Sequence, residues 1–309
     1  MTDVHQRQLT SAAREALAGD DRLTRALLAK RKHFIEHRFA SAIEDRLSEA
    51  LEDYPTDGDS HFLIVGDSGM GKTKLVKHFM RMHGVEWPLP EGKKEVPILM
   101  VGLVSPSPRG FLATILETLG SPYPRTGSHE TLYPLVLRLL RSVGLKVLII
   151  DEIHHIKLGR RDERERTLIL IKQLGNDLGV TIIGCGTSDA LRAIQLDPQL
   201  ERRFEPLALG RWRDDDDGWG LLNAIEATIP LEEPSYLSDE KTARWIFAET
   251  EGLTGEIDRM IRRAAVKAIG SERPLLDLAF LKSLPWIRPS KRRKTSEDVL
   301  RRDRPQMAF

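Results

Sequence analysis

Gly66-Asp67-Ser68-Gly69-Met70-Gly71-Lys72-Thr73 sets glycines, a lysine and a hydroxyl at the spacing that phosphate chemistry requires. The glycines let successive backbone N–H groups turn inward around an anion. A helix opening near Lys72 would aim the positive end of its dipole at the same charge. Lys72 would reach the β- and γ-phosphates of ATP, and the Thr73 hydroxyl would ligate Mg²⁺. A second group, Asp151-Glu152, closes the apolar run Lys146-Val-Leu-Ile-Ile. Opposite a phosphate loop, Asp151 would hold the Mg²⁺ shell and Glu152 would polarise the water that attacks the γ-phosphate.

Three weaker signals accompany these. Gly186-Thr187-Ser188-Asp189 ends a further apolar run. If that strand lies between the other two, Thr187 would hydrogen-bond the γ-phosphate or the attacking water, while Ser188 or Asp189 would cap the helix that follows. Arg202-Arg203-Phe204 precedes a last core strand. A guanidinium there is either a planar donor for a neighbouring subunit's nucleotide or one of a surface pair. His154-His155 invites a metal reading, but adjacent side chains on an extended segment point to opposite faces, and no third His or Cys lies close by in sequence. Cys185, the one cysteine, excludes an internal disulfide and reads as a small buried strand residue.

The elements that must position these groups can be read from the patterning. His61-Phe-Leu-Ile-Val is a short apolar strand feeding the phosphate loop, and helical spacing follows from Lys72 to about His83. Val96 to Val104, Val147 to Ile150 and Val180 to Gly184 are further buried strands, with helices expected from about Phe111 to Leu119 and from Glu130 to Val143. The domains expected are a helical N-terminal segment (1–57), a nucleotide-binding core (58–212), a small helical domain (213–286) and a basic flexible tail (287–309). In the first segment Arg22, Arg25, Lys30, Arg31, Lys32, His33, His37 and Arg38 interleave with apolar positions. It is either an adaptor for DNA or a neighbouring subunit, or a helical pack with a solvated basic face. A break at Tyr54-Pro-Thr-Asp-Gly-Asp separates it from the core. The run Asp214 to Asp217 suits a helix start, and the tail carries Lys291-Arg-Arg-Lys294 and Arg301, Arg302 and Arg304.

With 309 residues, 40% hydrophobic and 30% charged, the chain can bury a sizeable core. A formal net charge of +1 gives no overall polyelectrolyte signal for nucleic acid. The apolar runs are too short to span a bilayer, so a cytoplasmic location and no membrane partner are expected.

In motif order the chain resembles the AAA+ ATPases, and more narrowly the TniB/TnsC family of transposon-encoded target regulators, which is related to MuB. The narrower resemblance is carried by Ile150-Asp-Glu-Ile-His-His155, Ser107-Pro-Arg109-Gly-Phe111, Gly186-Thr-Ser-Asp-Ala190 and Gln199-Leu-Glu-Arg-Arg-Phe-Glu-Pro206, with Arg211-Trp212 behind. It covers roughly residues 55 to 270. The resemblance implies an α/β fold: a P-loop core with a five-stranded parallel sheet in order 5-1-4-3-2 and a helical lid. It also implies homo-oligomers, rings or helical filaments, around duplex DNA with ATP between subunits. Members link a target-selection protein to a DDE transposase and disassemble on hydrolysis.

Carried over by position, Lys72 and Thr73 are the Walker A pair, Asp151 and Glu152 the Walker B pair and Thr187 the sensor-1 residue. Arg203 is the preferred trans-acting finger, with Arg202 the fallback. Many AAA+ lids carry an arginine three residues after a glycine. Here Gly255-Glu-Ile-Asp258-Arg259 puts aspartate at that offset and leaves Arg259 one position late for a sensor-2 role. Backbone contacts to DNA are expected from loop residues Lys93, Lys94, Arg109, Arg125, Thr126 and Ser128. Two other readings compete: a non-transposon AAA+ loader or initiator-like ATPase, and a P-loop kinase with a soluble acceptor.

Overall fold

The computed structural model describes residues 9–19, 21–54, 61–90, 92–195, 197–271, 275–292 and 294. Residues 55–59 of the expected break, and Arg293, Arg301, Arg302 and Arg304 of the basic tail, lie outside the described residues. The described residues fall into two compact units, Phe39–Gly210, and Met1–Arg38 with Arg211–Phe309.

In chain order the first elements are α1 (Ser11–Ala18), α2 (Arg22–Lys30), α3 (Arg38–Glu52), β1 (His61–Gly66), α4 (Lys72–Met82) and β2 (Ile98–Gly102). Then come α5 (Pro108–Thr118), α6 (His129–Ser142), β3 (Val147–Asp151), a 3-10 turn at Ile153–Leu158, α7 (Arg161–Leu178) and β4 (Thr181–Gly186). The chain continues with α8 (Ser188–Gln195), α9 (Pro198–Glu201), β5 (Phe204–Leu209), α10 (Asp216–Ala227), α11 (Glu240–Thr250), α12 (Thr254–Ile269) and α13 (Leu278–Ser283).

The sheet follows from strands that are apolar on both faces. Phe62, Leu63 and Ile64 of β1, Leu148, Ile149 and Ile150 of β3, and Ile182 and Ile183 of β4 are all buried. Such runs require cover on both sides, the condition under which parallel sheets form. Five parallel strands pair in the order β2-β3-β4-β1-β5, the order that the resemblance implied. Leu63, Val101, Leu148, Ile150 and Ile182 share one cluster with Phe111 and Ile115 of α5, Val136 and Leu140 of α6, and Ile171 and Leu174 of α7. Each side chain of this kind stabilises the fold by about 1.5–3 kcal/mol relative to exposure.

Two boundaries moved for identifiable reasons. Helix α5 starts at Pro108, before the expected Phe111, because the Ser107 hydroxyl accepts from the Gly110 N–H at 3.2 Å and proline suits the first helical position. Strand β2 is shorter than the run Val96 to Val104, since Pro97 enters the β3 side only through its carbonyl, which accepts from the Lys146 and Val147 N–H groups.

The helical unit joins α1 and α2 with α10 to α13, whereas α3 belongs to the sheet unit with Ile43, Leu47 and Ala50 buried. The Thr10 N–H donates to the Ala227 carbonyl at 2.9 Å. Arg25, counted among the basic residues of the N-terminal segment, is buried and donates to the Pro230 carbonyl at 3.1 Å and to Glu232 at 2.9 Å. The buried Glu226 carboxylate gathers the N–H groups of Ser235, Tyr236 and Leu237 at 2.7, 3.3 and 3.0 Å, which fixes the chain between α10 and α11. Asp215 caps α10 by accepting from the Gly218 N–H at 3.0 Å, giving the acidic run its local purpose. Among the described residues no helix is long and apolar enough to cross a membrane.

Candidate functional site: a phosphate loop facing an Asp-Glu strand end

Strand β1 delivers Gly66 to the C-terminal edge of the sheet, where it lies beside Leu209 of β5. A Cβ at Gly66 would stand 2.8 Å from the Leu209 carbonyl oxygen, so glycine is required there by the neighbouring strand. Gly69 and Gly71 take φ of +85° and +96°, the left-handed region, and an added Cβ at either would meet nothing within 4 Å. The space over the loop at these two glycines is thus open. Lys72 Nζ donates to the Gly66 and Asp67 carbonyls at 2.7 and 3.0 Å. Burial holds the ammonium below the usual lysine range, opposed by Glu152, Cys185, Asp151 and Asp67.

Strand β3 brings the acids to the same edge. Thr73 Oγ1 donates to Asp151 Oδ2 at 2.8 Å, and the other carboxylate oxygen accepts from the Glu152 N–H at 2.9 Å. Both oxygens of Asp151 are therefore oriented, and a hydroxyl and a carboxylate meet beside the loop. A hard cation favours such an oxygen pair, so the residues present fit a magnesium nucleotide. Glu152 leaves β3 with φ 55° and ψ 33°, a left-handed conformation that is costly for a side-chain-bearing residue.

That backbone step overturns one sequence expectation. The chain after Asp151 does not stay extended but enters the 3-10 turn, so His154 and His155 do not face opposite ways. Their rings lie 4.7 Å apart, and potential ligand atoms of Glu152, His154 and His155 all fall within 4.8 Å of one another. His155 Nδ1–H donates to the Leu103 carbonyl at 3.1 Å, and His154 Nδ1 lies 3.2 Å from Glu152 Oε2. The turn can approach β4 this closely because Gly184 and Gly186 carry no side chain: added Cβ atoms would come within 3.2 Å and 3.1 Å of Ile153. Two glycines in an apolar strand were the available sequence signal for this approach.

Thr187 follows β4, which lies between β1 and β3. Its carbonyl accepts from the Ala190 N–H at 2.9 Å, opening α8. Asp189 pairs with Lys157 of the 3-10 turn and, at 3.4 Å, with Arg192. Arg203 sits at the opposite edge, one residue before β5, and donates to Asn176 of α7 at 2.6 Å. Arg202 is exposed beside it.

The six loop candidates separate into two groups. Lys93 and Lys94 precede β2 at the N-terminal edge, with Lys94 exposed. Arg109, Arg125, Thr126 and Ser128 cluster after its other end, and Arg109 is turned into that loop: Nε donates to the Gly127 carbonyl at 2.7 Å, and a terminal nitrogen donates to the Arg125 carbonyl. Arg125, Thr126 and Ser128 are exposed.

Within the helical unit, Asp258 is buried and accepts from Arg262 at 2.5 Å. Arg259 lies on the outer face of α12, half exposed, 3.8 Å from Glu256. Trp212 donates its indole N–H to Thr254 at 2.8 Å.

A parallel sheet of this order with a phosphate loop after β1 and an acidic pair at the end of β3 defines a P-loop ATPase of the AAA+ class. Solved structures agree on the fold. Aeropyrum pernix ORC2, described in ADPNP-ADP complexes, matches with a TM-score of 0.61 at 15% identity over 83% of this chain and 70% of that one. Drosophila ORC bound to DNA matches with a TM-score of 0.57 at 15% identity over 92% and 68%. The chaperone protein ClpB of Meiothermus ruber is 30% identical over 146 residues, 47% of this chain, and the match spans only 16% of that relative. The family described as "Bacterial TniB protein" matches residues 25–214. The chain belongs to the TniB family.

Proposed function

We propose that this chain is an ATP-dependent regulator of DNA transposition. It assembles as rings or filaments on duplex DNA, links a target-selection protein to a DDE transposase, and disassembles on ATP hydrolysis. Membership of the TniB family supports the biological setting. The observation that carries the shared-site mechanism is the placement of Arg203. Strands β1 and β5 are paired from His61↔Phe204 to Gly66↔Leu209. At about 3.3 Å per residue, this puts Arg203 roughly 16 Å or more from its own phosphate loop, beyond the span of an arginine side chain. A guanidinium so placed cannot serve its own nucleotide and is suited to the one held by a neighbour.

In the proposed mechanism the loop N–H groups of residues 66–73 and Lys72 hold the phosphates. Thr73 and Asp151 would hold a magnesium ion, which when bound would supply charge neutralisation to the phosphates. Glu152 accepts the proton of the attacking water, Thr187 orients that water, and Arg203 of the adjoining subunit offsets the charge that develops on the γ-phosphate. Arg202 would take that role only if Arg203 proves dispensable, and Arg259, one position late for a sensor-2 arginine, is the helical unit's candidate. Arg125, Thr126 and Ser128 meet the DNA backbone, with Arg109 shaping their loop; Lys93 and Lys94 form a separate contact at the other edge.

Mixing tests the shared site. Lys72→Ala and Arg203→Ala chains are each expected to be inactive on DNA with ATP. A one-to-one mixture should regain about a quarter of the wild-type rate, the fraction of interfaces that combine an intact loop with an intact finger. No rescue at any ratio would refute the arrangement. Electron microscopy with linear duplex DNA should show rings or filaments only with a triphosphate.

A further inference from the structure

We propose that His154 is a positioning residue that holds the Glu152 carboxylate in its working orientation. The inference rests on the reading of Glu152 as the group that activates water. Glu152 stands outside regular structure: its left-handed backbone turns its side chain out of the strand, and that side chain is 47% exposed. A carboxylate on three rotatable side-chain bonds, half in solvent, has no fixed direction of its own. His154 supplies one. Its Nδ1 lies 3.2 Å from Glu152 Oε2, is shielded from solvent, and makes no hydrogen bond of good geometry to Glu152 or to any other described residue, so the carboxylate is the one acceptor within its reach that a small rotation would align.

The ring itself is held. The turn that carries it is pinned to the sheet where Ile153, buried at 2% exposure, packs over Gly184 and Gly186. On the other side it leans on the ring of His155, which is anchored by its own bond to the Leu103 carbonyl of the neighbouring strand's end. The same left-handed step at Glu152 that exposes the carboxylate brings the imidazole back against it. Burial keeps the His154 imidazole below its ordinary range, so at neutral pH it acts as an uncharged donor; Glu152 opposes that shift, and His155, Lys157 and Lys72 add to it. A neutral donor orients a carboxylate without cancelling its charge, so the carboxylate keeps its basicity.

The test uses the full chain assembled on duplex DNA with Mg²⁺ and ATP, and reads kcat and KM together with the affinity for a fluorescent ATP analogue. His154→Ala should lower kcat about 10–100-fold, the usual cost of removing an outer-shell orienting group, with KM and affinity changed less than about twofold. His154→Gln, which restores a donor, should recover much of that loss. His154→Phe keeps the ring volume without the donor, guarding against collapse of the turn, and should behave as Ala does. Glu152→Gln tests the underlying reading: it should cut turnover to a small measurable residual rate and leave binding intact, and adding His154→Ala to it should lower that rate no further, since His154 acts through Glu152.

If Glu152→Gln is nearly inactive yet a folded His154→Ala or His154→Phe chain turns over at the wild-type rate, the positioning role is overturned while the function stands. An equal loss of affinity and kcat, or a further drop in the double variant, would also overturn it by showing a structural effect. A fully active Glu152→Gln chain would instead remove the hydrolytic reading itself.

Discussion

Asp258 occupies the offset at which many AAA+ lids place an arginine, and its burial gives a prediction that can be worked through. Its carboxylate and the Arg262 guanidinium are 5% and 4% exposed, with Nε to Oδ1 at 2.5 Å. Arg262 also donates to the Ala29 carbonyl at 3.2 Å and to Thr228 Oγ1 at 3.4 Å, so one guanidinium ties α2 and the end of α10 to α12. Asp258→Ala would leave that cation buried with only neutral acceptors. Breaking a buried pair from one side costs about 3–5 kcal/mol, and the two remaining acceptors argue for about 3. For a unit of this size a loss of that order lowers the thermal midpoint by roughly 6–12 °C. Calorimetry or circular dichroism of the full chain would read the shift. Asp258→Asn, which still accepts a hydrogen bond, should fall less, and Asp258→Leu with Arg262→Met should regain most of the loss because no charge is then stranded. An Asp258→Ala midpoint within about 2 °C of wild type would refute the assignment of Asp258 as a structural anchor of the helical unit.

Two further outcomes are expected. Cys185 is fully buried in β4 and its thiol is pushed well above the usual range, by burial first and by the nearby carboxylates second, with Lys72 opposing; a thiol reagent at pH 8 should label it only on unfolding, and stoichiometric labelling of the native chain would contradict the packing of that strand. Arg109→Ala should release the carbonyls at 125 and 127 and speed tryptic cleavage after Arg125 by about tenfold, as expected for losing roughly 1.5 kcal/mol of local closure, whereas Arg109→Lys, without a planar fork, should not restore protection.

The chemistry-bearing core was legible in the primary structure because its logic is local. Eight consecutive residues from Gly66 to Thr73 suffice to make a loop of inward N–H groups, and an apolar strand ending in Asp151-Glu152 has one sensible place opposite it. Strand order and fold class followed from the resemblance, and the helical character of residues 216–283 from their periodicity. Roles that depend on what a side chain meets across the fold were not legible. Arg109 and Arg125 look equally available in sequence, yet Arg109 is taken up by carbonyls 16 and 18 residues away. Arg25 reads as part of a basic face and is buried on carbonyl and carboxylate partners more than 200 residues on.

What the sequence determined by itself is the make-up of the phosphate loop and of the acidic strand end, since spacing along one backbone fixes them. What only the tertiary structure decided is which side chains lie against them. One positive φ at Glu152 turns an expected extended segment into a 3-10 turn and lays His154 against the carboxylate it follows. No pattern of residue types specifies that angle, because it is imposed by the packing of Ile153 over the two glycines of β4 rather than by the preference of glutamate itself.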